Sequence, residues 1–412
     1  MGHVAKVRVA GSNPVVRSKS RWGAMSTDPV IEVQGTVDPA FERVADVFAA
    51  NFAEHGEVGA ACAVYVGGEP VVDIWGGMAE IDPPRPWERD TLVIVFSTTK
   101  GVVAVCANQL IEQGRLDPEA PIAEYWPGFA ANGKASIPVK WALSHRAGLA
   151  DVQADLTLDD VAAWDPIVEA IAGAPPVWEP GTAHGYHTLT FGWMVGEIIR
   201  RVTGRSPGQY FADAVAAPLG LDFHLGVPPE LDHRLAHVYH DTETQALLES
   251  VFADQSTLLG RATSGPSRLF GWNAMWDTGM WNTRRMRGAQ VPSTNGHSDA
   301  RSLARMYAAC IGEVDGIRLL SDETVARASV VLSEGTDCVH GIPMTFGLGF
   351  MLAPMFPASV GPRTFGHFGA GGSTAFADPD RGLAFCYVMN QMKMIDLARS
   401  EALVAATYEA LT

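Results

Sequence analysis

Hydrophobic positions recur along this chain with two different periods, helical through the middle and alternating near the ends. Between Asp38 and Glu54 the residues Phe41, Val44, Val47, Phe48 and Phe52 fall on one apolar face, and Asp38 is placed to cap the helix they predict. Two β-rich runs follow, Ala60 to Val66 and Pro70 to Trp75, separated by Gly67-Gly68-Glu69, a hairpin signal. The apolar run Leu92-Val93-Ile94-Val95-Phe96 leads into a helical stretch from Gly101 to Gly114. Helices are then expected at Lys140 to His145, Leu158 to Ala172, Leu189 to Val202 and Pro207 to Ala216, with Gly148, Gly173 and Gly204 as stops. From about Gly226 to Gly296 the periodicity fades into Pro, Gly and Trp, and Ser302 to Ile311 reads as helix again. Strands are expected at Thr345 to Leu352, Ser373 to Ala377 and Leu383 to Met389, the last two joined by the turn Asp378-Pro379-Asp380-Arg381-Gly382. A helix from Met394 to Leu411 closes the chain.

Strands near both ends with helices between predict an α+β fold: one antiparallel sheet drawn from both termini, flanked by helices, beside a mostly helical second lobe. The expected division is a mobile basic tail over residues 1–30 and one catalytic domain over 31–412. Within that domain an α/β lobe takes about 31–105 and 300–412, and a helical lobe about 106–299. No internal repeat or low-complexity tract interrupts it.

Composition narrows the function classes. With 412 residues, 47% hydrophobic and 18% charged, the chain can bury a large core. A net charge of -16 argues against nucleic-acid or anionic-membrane partners, which need clustered cations. The first 25 residues carry Lys6, Arg8, Arg17, Lys19 and Arg21 but no acidic residue and no apolar core, so they read as neither signal peptide nor membrane span. No other stretch reaches 18 apolar residues, and a soluble, cytoplasmic protein is expected. The five cysteines, Cys62, Cys106, Cys310, Cys338 and Cys386, are odd in number, widely spaced and without a C-x-x-C pair. Buried reduced thiols are expected rather than disulfides or a metal site.

The strongest chemical signal is Ser97-Thr98-Thr99-Lys100 at the start of the Gly101 helix. Residues i and i+3 share a helix face, so the Lys100 amine can reach the Ser97 hydroxyl, and a desolvated amine can take its proton. The bland reading of the tetrapeptide is a cap followed by a surface charge. Two further segments weigh against it: Gly185-Tyr186-His187-Thr188, just before the Leu189 helix, and Gly366-His367-Phe368-Gly369-Ala370-Gly371-Gly372, just before a strand. In this order and spacing the three motifs resemble those of the serine β-lactamase and penicillin-binding protein superfamily, and most closely its family VIII carboxylesterases. The resemblance spans roughly residues 38 to 411 and includes Leu143-Ser144-His145-Arg146-Ala147-Gly148-Leu149.

That resemblance implies a β-lactamase/transpeptidase-like fold, Ser97 as nucleophile, and Lys100 and Tyr186 sharing the proton traffic. Which of the two is the base stays open. It also implies an oxyanion hole from the backbone N–H groups of Ser97 and Ala370, with Gly371 and Gly372 allowing close approach, and no cofactor or metal. Two positions depart from the better-known pattern. His367 replaces the Lys of K-T-G, and Thr188 stands where Y-x-N has Asn. Both changes remove groups that anchor a carboxylate or an amide, and they point to neutral esters. His367, Gly369, Thr188 and Trp276 are the expected substrate-binding positions. There is no G-x-S-x-G elbow, no S-D-N and no acidic deacylation motif, so deacylation would reuse Tyr186 and Lys100.

Other features have structural readings of equal weight. His184 and His187 flank Tyr186; Trp272, Trp276 and Trp281 either wall a pocket or anchor a loop. His233, His237 and His240 would share a helix face, but Pro228-Pro229 and the lack of Cys or acidic partners argue against a metal there. The function expected is a serine carboxylesterase acting on short-chain or small aromatic esters through an acyl-enzyme, its partner a small-molecule ester. The alternatives are β-lactam or D-amino-acid amide hydrolysis or acyl transfer at the same site, and a catalytically silent acyl-ligand-binding scaffold.

Overall fold

The computed structural model describes residues 15–17, 31–240, 254–264, 278–393 and 397–412. Its frame is an eleven-stranded antiparallel sheet. Across it run β1 (Val15–Arg17), β2 (Glu32–Val37), β4 (Glu69–Glu80) and β3 (Gly59–Val66), and then β10 (Leu383–Met389), β9 (Thr374–Asp378) and β8 (Phe365–Phe368). The far edge is β7 (Met351–Leu352), β6 (Pro343–Phe346) and β5 (Ser333–Thr336), while Arg85–Pro86 pairs with β4 off this path. The longest helices among the described residues are α1 (Glu42–Glu54), α2 (Thr98–Glu112), α3 (Thr190–Thr203), α4 (Ala300–Ile311) and α5 (Ala398–Glu409).

The two ends of the chain meet where β3 pairs with β10, Cys62 opposite Tyr387 and Ala63 opposite Cys386. Both strands are apolar on both faces, and the two-residue period sorts them. Ala60, Cys62 and Val64 join Phe385, Tyr387 and Met389 in a core with Val44 and Phe48 of α1 and Leu403 and Val404 of α5. Ala61, Ala63 and Tyr65 join Ala384, Cys386 and Val388 against Leu303, Met306 and Tyr307 of α4. A sheet covered on both faces has no reason to alternate with polar residues, which is why these strands read as continuous apolar runs. Each fully buried large apolar side chain contributes about 1.5–3 kcal/mol.

The local signals explain the element ends. Asp38 Oδ1 accepts from Ala40 N at 2.9 Å, starting a 3₁₀ turn over Pro39–Phe41 that runs into α1. Gly67 and Gly68 form a two-residue loop with φ of 61° and 87°, the left-handed pair a tight hairpin needs. Gly204 ends α3 with φ of 73°.

Some expected elements are divided. The helix expected over Leu158 to Ala172 is two, Leu158–Ala163 and Asp165–Gly173, broken at Trp164 with φ of 71°. Pro166 cannot continue the first helix, and the Trp164 indole N–H donates instead to buried Glu197 at 2.8 Å. The strand expected over Thr345 to Leu352 is β6 and β7, folded back at Gly347–Phe350. The helix expected over Pro207 to Ala216 loosens into a π-turn at Ala212–Ala216.

His233, His237 and His240 do not share a helix face. A 3₁₀ turn ends at Arg234 and His240 lies in a short strand, because Pro228-Pro229 prevents the helix their spacing needs. Among the described residues no cluster of His, Cys, Asp or Glu is placed to hold a metal, and no helix is long and apolar enough to cross a membrane. All five cysteines are free; four are buried, and Cys338 is exposed on the loop after β5.

Candidate active site

Ser97 follows the short strand Val93–Ile94 and opens α2. The turn between them is sharp: Phe96 takes φ of 44°, and its ring packs edge-on against Trp281 at 5.9 Å. Every residue of α2 from Thr98 to Ile111 is buried, so Lys100 points into protein rather than water. Its amine lies 3.0 Å from Ser97 Oγ and donates to Ser293 O at 3.0 Å. Burial alone holds Lys100 well below the ordinary lysine value.

Tyr186 comes from the loop before α3. The Lys100 amine sits 4.8 Å from the centre of its ring, and Phe346 of β6 stacks on that ring at 6.0 Å. Burial raises the phenol above its usual value, and a hydrogen bond with Ser97 opposes that shift without cancelling it. Both groups are therefore favoured in their neutral forms, Tyr–OH beside an uncharged amine.

The stretch Leu143–Leu149 builds the bed for Tyr186. His145, with φ of 62°, accepts from His187 N on Nδ1 at 3.0 Å and from Gly185 N on its carbonyl at 3.0 Å. The His145 ring lies 4.8 Å from that of Tyr186. His187 Nδ1 donates to Gly185 O at 2.7 Å and Nε2 accepts from Leu149 N at 2.9 Å, which fixes a neutral imidazole; burial lowers it to about 3. His187 is thus a brace for the loop that carries Tyr186.

The third motif approaches from β8. Gly369 packs directly on the Ser97 turn: a Cβ there would overlap Ser373 Oγ and Val95 O and lie 3.2 Å from Ser97 N. Ser373 Oγ donates to Val95 O at 2.8 Å and meets Thr98 Oγ1 at 3.1 Å, clamping the turn after β8 to the start of α2. Among the described residues neither Ser97 N–H nor Ala370 N–H has a backbone hydrogen-bond partner, and both residues line the same cavity.

A cavity of about 230 Å³ opens at Ser97. Tyr186, Thr188, Gly369 and Ala370 line it, with Met344, Met351, Ile342, Phe368 and Leu397 supplying apolar walls. His367, expected on this surface, stands behind it. The ring is buried, Nδ1 donates to Phe368 O at 2.7 Å, and Nε2 faces the Tyr186 hydroxyl at 3.5 Å. Burial and the nearby Lys100 lower it to about 3, so it is a neutral neighbour of Tyr186. The Thr188 hydroxyl is buried and unpartnered. Trp276 and Trp272 lie outside the described residues, and Trp281 is a core anchor for Phe96. His184 is buried, its carbonyl accepting from Cys338 N at 3.0 Å.

Ser293 and His340 carry no sequence signal of a role here. Ser293 belongs to no motif and lies in the aperiodic segment; His340, edge-on to Tyr186 at 5.4 Å, sits on a loop of ordinary composition. Only the fold brings either to Ser97.

Comparison with known proteins shows which family the chain resembles in sequence and fold. The beta-lactamase family profile matches residues 44–409. The esterase/beta-lactamase LipL of Mycobacterium tuberculosis is 37% identical over 373 residues, 87% of this chain and 83% of the relative. The crystal structure of a family VIII carboxylesterase superposes with a TM-score of 0.82 at 36% identity, covering 92% of this chain and 99% of that one. That of a penicillin-binding protein homologue from Caulobacter crescentus gives 0.80 at 35%, with the same coverage.

Proposed function

The chain belongs to the beta-lactamase family and is a serine hydrolase of the esterase/β-lactamase type; from that premise we propose that it is a carboxylesterase cleaving short-chain or small aromatic esters through an acyl-enzyme on Ser97. The observation that carries this reading is the Lys100 amine, buried and 3.0 Å from Ser97 Oγ, beside an equally buried Tyr186.

Ser97 Oγ attacks the ester carbonyl carbon while its proton passes to the Lys100–Tyr186 pair. The carbonyl oxygen becomes an oxyanion facing the N–H groups of Ser97 and Ala370. The intermediate collapses, the carbon–oxygen bond to the alcohol breaks, and the departing oxygen takes the proton. Water attacks the acyl-enzyme by the same route in reverse: the pair takes its proton, the carboxylic acid leaves, and the proton returns to Ser97. The proton traffic is assigned to the two groups together, the amine 3.0 Å from Ser97 Oγ and the phenol hydrogen-bonded to Ser97.

The cavity supports neutral substrates. Among the described residues lining it there is no Lys or Arg, and the nearest imidazoles are neutral, so a β-lactam or peptide carboxylate finds no countercharge. The LipL name spans both activities, and nitrocefin separates them. Expected is rapid hydrolysis of p-nitrophenyl butyrate and little of nitrocefin. Ser97→Ala should lower ester turnover by on the order of 10⁴ or more; unchanged turnover in that variant would overturn the reading.

A further inference from the structure

Behind the Ala370 N–H lies an ion pair that the reaction does not use. Arg399 of α5 and Glu57, on the segment between α1 and β3, are at most 1% exposed in their side chains, with Nη1 donating to Glu57 Oε2 at 2.8 Å. The Tyr387 hydroxyl donates to the same carboxylate oxygen. Arg399 Nη1 also donates to Gln391 O at 3.0 Å, and Nη2 donates to Gly371 O at 2.7 Å. Apolar side chains would fasten α5 to the sheet with less desolvation than two buried charges. What the guanidinium adds is direction, since a planar fork can hold a carboxylate and a carbonyl at fixed angles.

The carbonyl it holds belongs to a turn with little shape of its own. Gly371 and Gly372 have φ of 86° and 120°, and two successive glycines do not fix their own conformation. Gly372 N donates to Gly369 O at 3.2 Å, Lys393 N donates to Gly371 O at 3.2 Å, and Ser373 clamps the front of the turn to the Ser97 strand. Arg399 is the side-chain clamp at the back, close enough that a Cβ on Gly372 would stand 3.3 Å from Nη2.

We propose that Arg399, oriented by Glu57, is a positioning residue for ester cleavage: by holding the Gly371 carbonyl it sets the Ala370–Gly372 turn, and with it the direction in which Ala370 N–H points at the oxyanion. This rests on the reading of Ala370 as an oxyanion donor.

The test uses R399K, which keeps the charge opposite Glu57 but lacks the fork, and the double variant E57Q/R399M, which removes both charges so that none is left unpaired. Ester hydrolysis is measured on p-nitrophenyl butyrate, with active serine counted by fluorophosphonate labelling to completion. Binding is measured for an alkyl trifluoromethyl ketone, which adds to a serine to form a tetrahedral oxyanion. Expected in both variants is a fall in kcat of about 10- to 100-fold, less than the loss of a whole oxyanion donor, with KM within about threefold. Ketone affinity should fall by the same factor as kcat/KM. Variants that label fully yet keep kcat and ketone affinity within about twofold of the parent overturn the proposal, leaving Arg399 as a staple for α5 whatever happens to the thermal midpoint. A parent protein that neither hydrolyses the ester nor binds the ketone overturns the underlying reading instead.

Discussion

At the scale of single residues, the chemistry we propose depends on keeping a lysine neutral where it would otherwise be charged. Lys100 has an ordinary value of 10.5 in the unfolded chain and a much lower one when buried. As pH falls below 10.5 the unfolded chain takes up a proton that the folded protein refuses, so this group's contribution to stability is lost on the way down to the lowered value. Lys100→Met should therefore abolish esterase activity yet raise the thermal midpoint at pH 7, and calorimetry should show that gain shrinking as pH approaches 10.5. The same protonation stops catalysis, so in the parent kcat/KM should rise with pH with a midpoint well below 10.5. His367, buried rather than on the expected pocket wall, is neutral for the same reason: burial first, and Lys100 second, lower it to about 3.

At the scale of elements, the site is a junction of three segment ends, each pinned by a hydrogen bond that its own sequence does not announce. The first turn of α3 leaves backbone donors unsatisfied, and Ser293 supplies the partner from a distant loop. Gly192 N donates to its Oγ at 2.7 Å, and that hydroxyl donates to Leu189 O at 2.8 Å. The same residue's carbonyl receives the Lys100 amine, so one residue ties the helix that follows Tyr186 to Lys100. Ser293→Ala should cost about 1–2 kcal/mol in denaturant unfolding, the loss of a cap together with an unpaired buried carbonyl, and should lower kcat more than it raises KM. The motifs on α2 and before α3 were legible because helix periodicity and glycine stops place them. Trp164 was not, because a break at Asp165-Pro166 inside an apolar run shows only when Glu197 is seen to receive the indole.

At the scale of the whole molecule, β3 and β10 close the fold across more than 300 residues of chain, and the folded protein keeps several histidines from water. His187, His297 and His367 are each lowered from 6.5 to about 3, chiefly by burial. Stability from these groups is complete above 6.5 and is lost as pH falls from there towards 3, each adding up to one proton to the uptake on unfolding. Thermal midpoints measured from pH 7 to pH 4 should decline through that window, and His187→Gln should flatten the decline.

The amino-acid order by itself determined the α+β class, the sheet drawn from both termini and the identity of the three motifs. All of these rest on local period, turn residues and short-range spacing, which one chain carries in full. Tertiary structure alone decided that Lys100 is desolvated and that His367 stands behind Tyr186. It also decided that Ser293 meets Lys100, that His340 meets Tyr186, and that Glu57 and Arg399 pair behind Gly371. Burial and contact between residues hundreds of positions apart are properties of the packed core, and no local pattern encodes them.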